Sequence, residues 1–69
     1  MTYSIVGNLD EVEPTESFSA ALTAARTLVE DGNSTATVRD HRERWQAEAR
    51  RDEHGRVTVV LAQGTGRRP

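Results

Sequence analysis

Sixty-nine residues, 35% hydrophobic and 4% aromatic, suffice for one small core and exclude a second domain. The absence of cysteine excludes disulfide staples, thiolate metal clusters and thiol nucleophiles. The net charge of −2 conceals a polarity: residues 1–38 hold six acids and one arginine, whereas residues 39–69 hold five acids and eight arginines, with lysine nowhere in the chain.

Tyr3 to Val6 reads as a short strand ended by Gly7-Asn8. Leu9 to Pro14 reads as an acidic connector, with Leu9 and Val12 as anchors and Pro14 holding Glu13 extended. A helix is expected to start within Thr15 to Ser17, where a hydroxyl can cap the first free amides and Glu16 sits near the positive dipole end. Phe18, Leu22, Ala25 and Val29, flanked by Ala21 and Leu28, recur at three-and-four spacing and form a single apolar stripe. Asp31-Gly32-Asn33 supplies the helix stop, and Thr35 to Arg39 reads as the next strand.

Residues 40–53 admit two readings. Asp40 to Glu43 fits a capping box and Gly55 could end a helix, yet Trp45, Ala47 and Ala49 alternate strictly with Gln46, Glu48 and Arg50. A helix here would have almost no apolar face beyond Trp45 and Ala49, so a strand from about Arg44 to Arg51 ranks first. The apolar run Val59-Val60-Leu61 within Arg56 to Ala62 predicts a central strand covered by the helix. The expected fold is therefore α+β: a single domain, 1–62, with one amphipathic helix on a mainly antiparallel sheet of three to four strands, in the order β-α-β-β-β. The runner-up order is β-α-β-α-β. Residues 63–69, which lack apolar side chains, are read as a flexible tail.

Catalytic constellations are weak. Ser17 or Ser34 with His41 or His54 and Asp40 or Asp52 makes a triad on paper, but a single thin core leaves little room for a shielded oxyanion pocket. His41 and His54 fall in predicted turns without the paired spacing of a metal site. Gly64 to Arg68 has the glycines of a phosphate loop but no helix behind it to present amides to an anion. The sequence thus assigns no enzyme activity, catalytic residue, cofactor or metal ligand.

Two charged surfaces remain. Arg39, Arg42, Arg44, Arg50, Arg51 and Arg56, with Trp45 among them, form a cluster of planar donors suited to carboxylates or phosphates. Interleaved Glu43, Glu48, Asp52 and Glu53 also suit a solvated, cross-strand ion-paired face. Asp10, Glu11, Glu13 and Glu16 form the acidic counterpart, able to engage a basic groove or merely to keep a loop hydrated. In size, composition and helix-on-sheet plan the chain resembles the very small proteins of phages and mobile elements, including anti-CRISPR and other host-takeover inhibitors. No motif matches such a family residue by residue, so no functional positions carry over.

The expected role is a non-catalytic protein-interaction module for a larger protein partner, with nucleic-acid binding through the arginine-rich hairpin as the alternative. A homodimer through an exposed sheet edge is also compatible with the sequence. No basic leader or membrane-length apolar run is present, so no membrane partner is expected and the expected location is cytoplasmic.

Overall fold

Ser17 opens the helix as anticipated. Its backbone is extended and its hydroxyl accepts a hydrogen bond from the Ala20 amide, while Thr15 Oγ1 accepts from the Ser17 amide. The computed structural model describes residues 2–62, and in it helix α1 (Phe18–Glu30) lies across one face of a five-stranded antiparallel sheet, an α+β fold. The strands are β1 (Tyr3–Gly7), β2 (Glu11–Thr15), β3 (Thr35–Arg39), β4 (Trp45–Arg51) and β5 (Val57–Leu61), in the spatial order β2-β1-β3-β4-β5. Residues 40–53 take the strand reading. Among the described residues no helix is long and apolar enough to cross a membrane. The tail and the Gly64 to Arg68 stretch lie outside the described residues.

Two expectations need correction. The acidic connector is an additional strand: Glu11, Val12 and Thr15 pair with β1, and a register shift puts Glu13 and Pro14 together opposite Ser4. Proline cannot donate to a ladder and is tolerated at an edge or a bulge, and this position is both. The second correction concerns β5, which is an edge strand and not a central one. Its apolar run leaves Val60 40% and Leu61 37% exposed, because Val60 points to the face away from the helix and Leu61 lies on the helix side at the sheet's edge.

The core is centred on alanine. Ala21, Ala25, Leu28 and Val29 of the helix are buried against Ile5, Ala36, Val38, Ala47 and Ala49 of the three inner strands. Such small side chains let helix and sheet approach closely, at the expense of apolar area per residue. Larger groups ring this centre: Tyr3, Val12, Phe18, Leu22, Val57 and Val59 are half-buried against it. Tyr3 and Phe18 meet with ring centroids 5.2 Å apart and planes tilted by 51°, holding the start of the helix onto β1.

The helix ends in a Schellman arrangement. Gly32, at φ 125°, donates to the Val29 carbonyl, and the Asn33 amide donates to the Leu28 carbonyl. The Asn33 side chain, 1% exposed, then clasps the β1–β2 turn. Its Oδ1 accepts from the amides of Leu9 at 2.7 Å and Asp10 at 3.2 Å, and its Nδ2 donates to the Leu28 carbonyl at 2.8 Å. Asn8 reciprocates, its Oδ1 accepting from the Ser34 and Thr35 amides. Gly7 leaves the space this requires, since a Cβ there would fall 2.4 Å from Asn33 Oδ1.

The β3–β4 and β4–β5 loops are built alike. In Asp40-His41-Arg42-Glu43-Arg44, Asp40 Oδ1 accepts from the Arg42 and Arg44 amides, the Asp40 amide donates to the Arg44 carbonyl, and Glu43 sits at φ 65°. In Asp52-Glu53-His54-Gly55-Arg56, Asp52 Oδ1 accepts from the His54 and Arg56 amides, the Asp52 amide donates to the Arg56 carbonyl, and Gly55 sits at φ 84°. Both loops thus need a left-handed residue at their fourth position, and only the second has glycine there.

Glu43→Gly should therefore raise stability by about 0.5–1 kcal/mol, and Gly55→Glu should lower it by roughly 1 kcal/mol. Urea denaturation of the two variants measures both. Asn33→Ala should cost about 2 kcal/mol by stranding the Leu9 amide, and Gly7→Ala should also destabilise. Because the two residues share one contact, the double variant should lose clearly less than the sum of the single losses. Additive losses in the same denaturation experiment would count against the clasp.

Candidate interaction surface

The helix covers one side of the sheet, and alternation sends every second strand residue to the other. One row across that open side runs Glu11, Val6, Thr37, Glu48 and Val60, and a second runs Thr35, Arg50 and Thr58. Near the opposite end, Ser4 lies across from Arg39, and Arg39 across from Trp45. Val6 is 46% and Trp45 37% exposed. A shallow hollow of about 280 Å³ opens between β1 and β3, lined by Ser4, Val6, Asn8, Thr37, Arg39 and Glu43, among others.

Trp45 departs from the strand's alternation. Strict alternation would put it on the apolar face with Ala47 and Ala49, which are buried, yet it does not join their cluster. A bulge is responsible: β3 and β4 shift register after the Val38–Ala47 pair, so Arg39 faces Trp45 where unbroken pairing would give Gln46. Gln46 instead turns its amide to Asp40, Nε2 donating to Oδ2 at 3.1 Å.

The arginines do not form one patch. Arg42 and Arg44 lie in or beside the β3–β4 loop, whereas Arg51 and Arg56 flank the β4–β5 loop at the far end of β4, roughly 20 Å away for a strand of that length. Arg44 is tied to Asp40, its Nε donating to Oδ2 at 3.2 Å. Arg51 is structural: Nη2 donates to the Val29 carbonyl at 2.8 Å and Nη1 to the Gly55 carbonyl at 2.9 Å. It supplies positive charge at the end of a helix whose own last turn has no basic residue. That leaves Arg39 and Arg50 on the open face. Arg39 makes one long contact to the Glu43 carbonyl, and Arg50 has no side-chain partner among the described residues.

Cross-strand ion pairing, the other reading of this face, is absent among the described residues, where Arg44–Asp40 and His54–Glu53 are the two ion contacts. The acids are likewise dispersed. Glu11 and Glu13 follow the β2 edge, Glu16 precedes the helix cap, and the Asp10 carboxylate receives the Asn33 Nδ2 at 3.4 Å.

Three of the groups that could be assembled into a hydrolytic site are engaged elsewhere. Ser17 caps the helix, and Asp40 and Asp52 bind the amides of their own loops, so neither aspartate orients a histidine. Asp40 is 2% exposed, and four donors converge on it from Arg42, Arg44 and Gln46. The Arg44 amide, more than any other group, holds its carboxyl below the ordinary value of 3.8; burial opposes this, and the Arg42 amide and Arg44 charge reinforce it. Among the described residues no three His, Cys, Asp or Glu side chains converge as a metal site would require.

A carboxyl whose folded pKa is depressed stabilises the fold above its unfolded pKa and loses that contribution as pH falls through the folded value. Stability should therefore decline as pH drops below about 4, and Asp40→Asn should flatten that decline while lowering the plateau at neutral pH. Thermal melts between acid and neutral pH measure the difference, and an unchanged acid limb in the variant would remove Asp40 from the account.

No protein-family model matches this chain, and neither a curated protein nor a solved structure matches it significantly.

Proposed function

We propose that the protein is a non-catalytic interaction module that docks the open face of its sheet onto a larger protein. The observation that carries this reading is the pair Arg39 and Arg50, free of ion pairs on a face that no described element covers, set among Trp45, Val6 and Val60. Arginine beside an aromatic group, with aliphatic side chains around them, is the composition that interface centres favour. The guanidinium groups select a partner with exposed carboxylates. Regulation or inhibition of a host protein machine, in the manner of small phage and mobile-element proteins, is the form of docking that the chain's size and composition support.

Nucleic-acid binding has less support, because Arg44 and Arg51 are held by Asp40 and by backbone carbonyls, and the remaining arginines are spread over both ends of β4. The experiment that separates the readings uses immobilised protein, host lysate, and DNA or RNA at low salt. The wild type should retain a stoichiometric protein partner, and Arg39→Glu with Arg50→Glu should weaken that partner at least about tenfold without altering the melting curve. Equal retention by the variant would exclude this face. Retention of nucleic acid, with affinity falling steeply as salt rises, would replace the reading with the alternative.

A further inference from the structure

The two edges of the sheet differ in kind. Edge strand β2 is guarded by Glu11, Glu13, Pro14 and a register shift, all of which discourage another strand from pairing. Edge strand β5, Val57-Thr58-Val59-Val60-Leu61, has no charge, no proline and no bulge. The Ala62 amide donates to the Gln46 carbonyl at 2.9 Å, and from that bond the antiparallel alternation sets the rest: Thr58 and Val60 bond toward β4. Val57, Val59 and Leu61 therefore direct their N–H and C=O groups to the open edge, where no described residue meets them.

Beside this edge, on the helix side, lies a groove of about 330 Å³ lined by Ser19, Leu22, Thr23, Arg26, Val59 and Leu61. Its floor is apolar and its one charge is Arg26, which has no partner among the described residues. We propose that β5 accepts an extended, acidic–apolar segment of a partner protein as an added strand, with alternate side chains entering the groove beside α1. Main-chain hydrogen bonds to Val57, Val59 and Leu61 supply affinity; an aliphatic side chain against Leu22 and Leu61, and a carboxylate on Arg26, supply selectivity. A second copy of the chain fits less well, since two-fold pairing of β5 brings another Arg26 toward the first. The site lies at the helix-side edge and stands whether or not the open sheet face docks.

The test pans a library of short random peptides displayed on phage against the intact protein. Enriched peptides should alternate aliphatic residues and carry Asp or Glu, and a synthetic copy should slow hydrogen exchange at the amides of Val57, Val59 and Leu61. Arg26→Glu should weaken that peptide at least about tenfold. Val59→Pro should abolish binding yet still unfold cooperatively, because the Val59 amide points away from β4 and makes no ladder bond. Arg39→Glu with Arg50→Glu should leave peptide affinity unchanged, which separates this site from the sheet face. Enrichment without acidic residues, or undiminished binding to Val59→Pro, would overturn the proposal. So would a dimer in sedimentation that becomes monomeric on Val59→Pro.

Discussion

A single buried amide fixes how the two halves of this fold meet. Asn33 reaches from the end of α1 to the β1–β2 turn and answers two backbone amides and one carbonyl at once. A hydrocarbon in its place would leave those groups unpaired, with a penalty per group comparable to a sizeable share of a small domain's net stability. The clasp also sets geometry, because β1 is paired with both β2 and β3 and the helix joins β2 to β3. Position the turn against the helix end and the registers on both sides of β1 are constrained together. Asn8, binding the first amides of the next strand, closes the same junction from the other side.

Such a clasp matters more because the apolar core is meagre. Five of the nine buried core residues are alanine, so close approach of helix and sheet replaces bulk as the source of packing. The body measures 31 × 29 × 17 Å, a slab one helix and one sheet thick. A slab of this kind has a large area for its volume. Its directional contacts accordingly gather at the ends, where Asp40, Asp52 and Arg51 bind loop amides and carbonyls.

Periodicity revealed what periodicity encodes. The helical stripe from Phe18 to Val29 and the alternation of Ala47 and Ala49 each report one face against one core, and both elements appear as read. The strand β2 was hidden because it has one partner, one apolar residue on the helix side and a proline, so its pattern is too short to stand out from a loop. The sequence left open whether Trp45 is buried, because the bulge that sets its place inserts a residue without any mark in the composition. The arginine cluster is real along the chain but divided in space, since β4 carries its two ends apart, and the engagement of Arg44 and Arg51 depends on partners brought close by the fold. Asn33 was legible only as part of the Asp31-Gly32-Asn33 stop, in which Gly32 takes the positive φ. Its reach to Leu9 is a tertiary fact. The kinship of the two loops could have been found from the shared spacing of aspartate and arginine in Asp40 to Arg44 and Asp52 to Arg56.

The unequal edges also bear on solubility and assembly. Growth of a cross-β fibre requires each unit to offer two sticky rims, one to receive and one to be received. This sheet has one closed rim, sealed by carboxylates and an imino acid, and one rim that no described residue covers. Strand addition can therefore happen once per molecule and then terminates, so the chain can keep an adhesive border exposed without seeding an endless polymer.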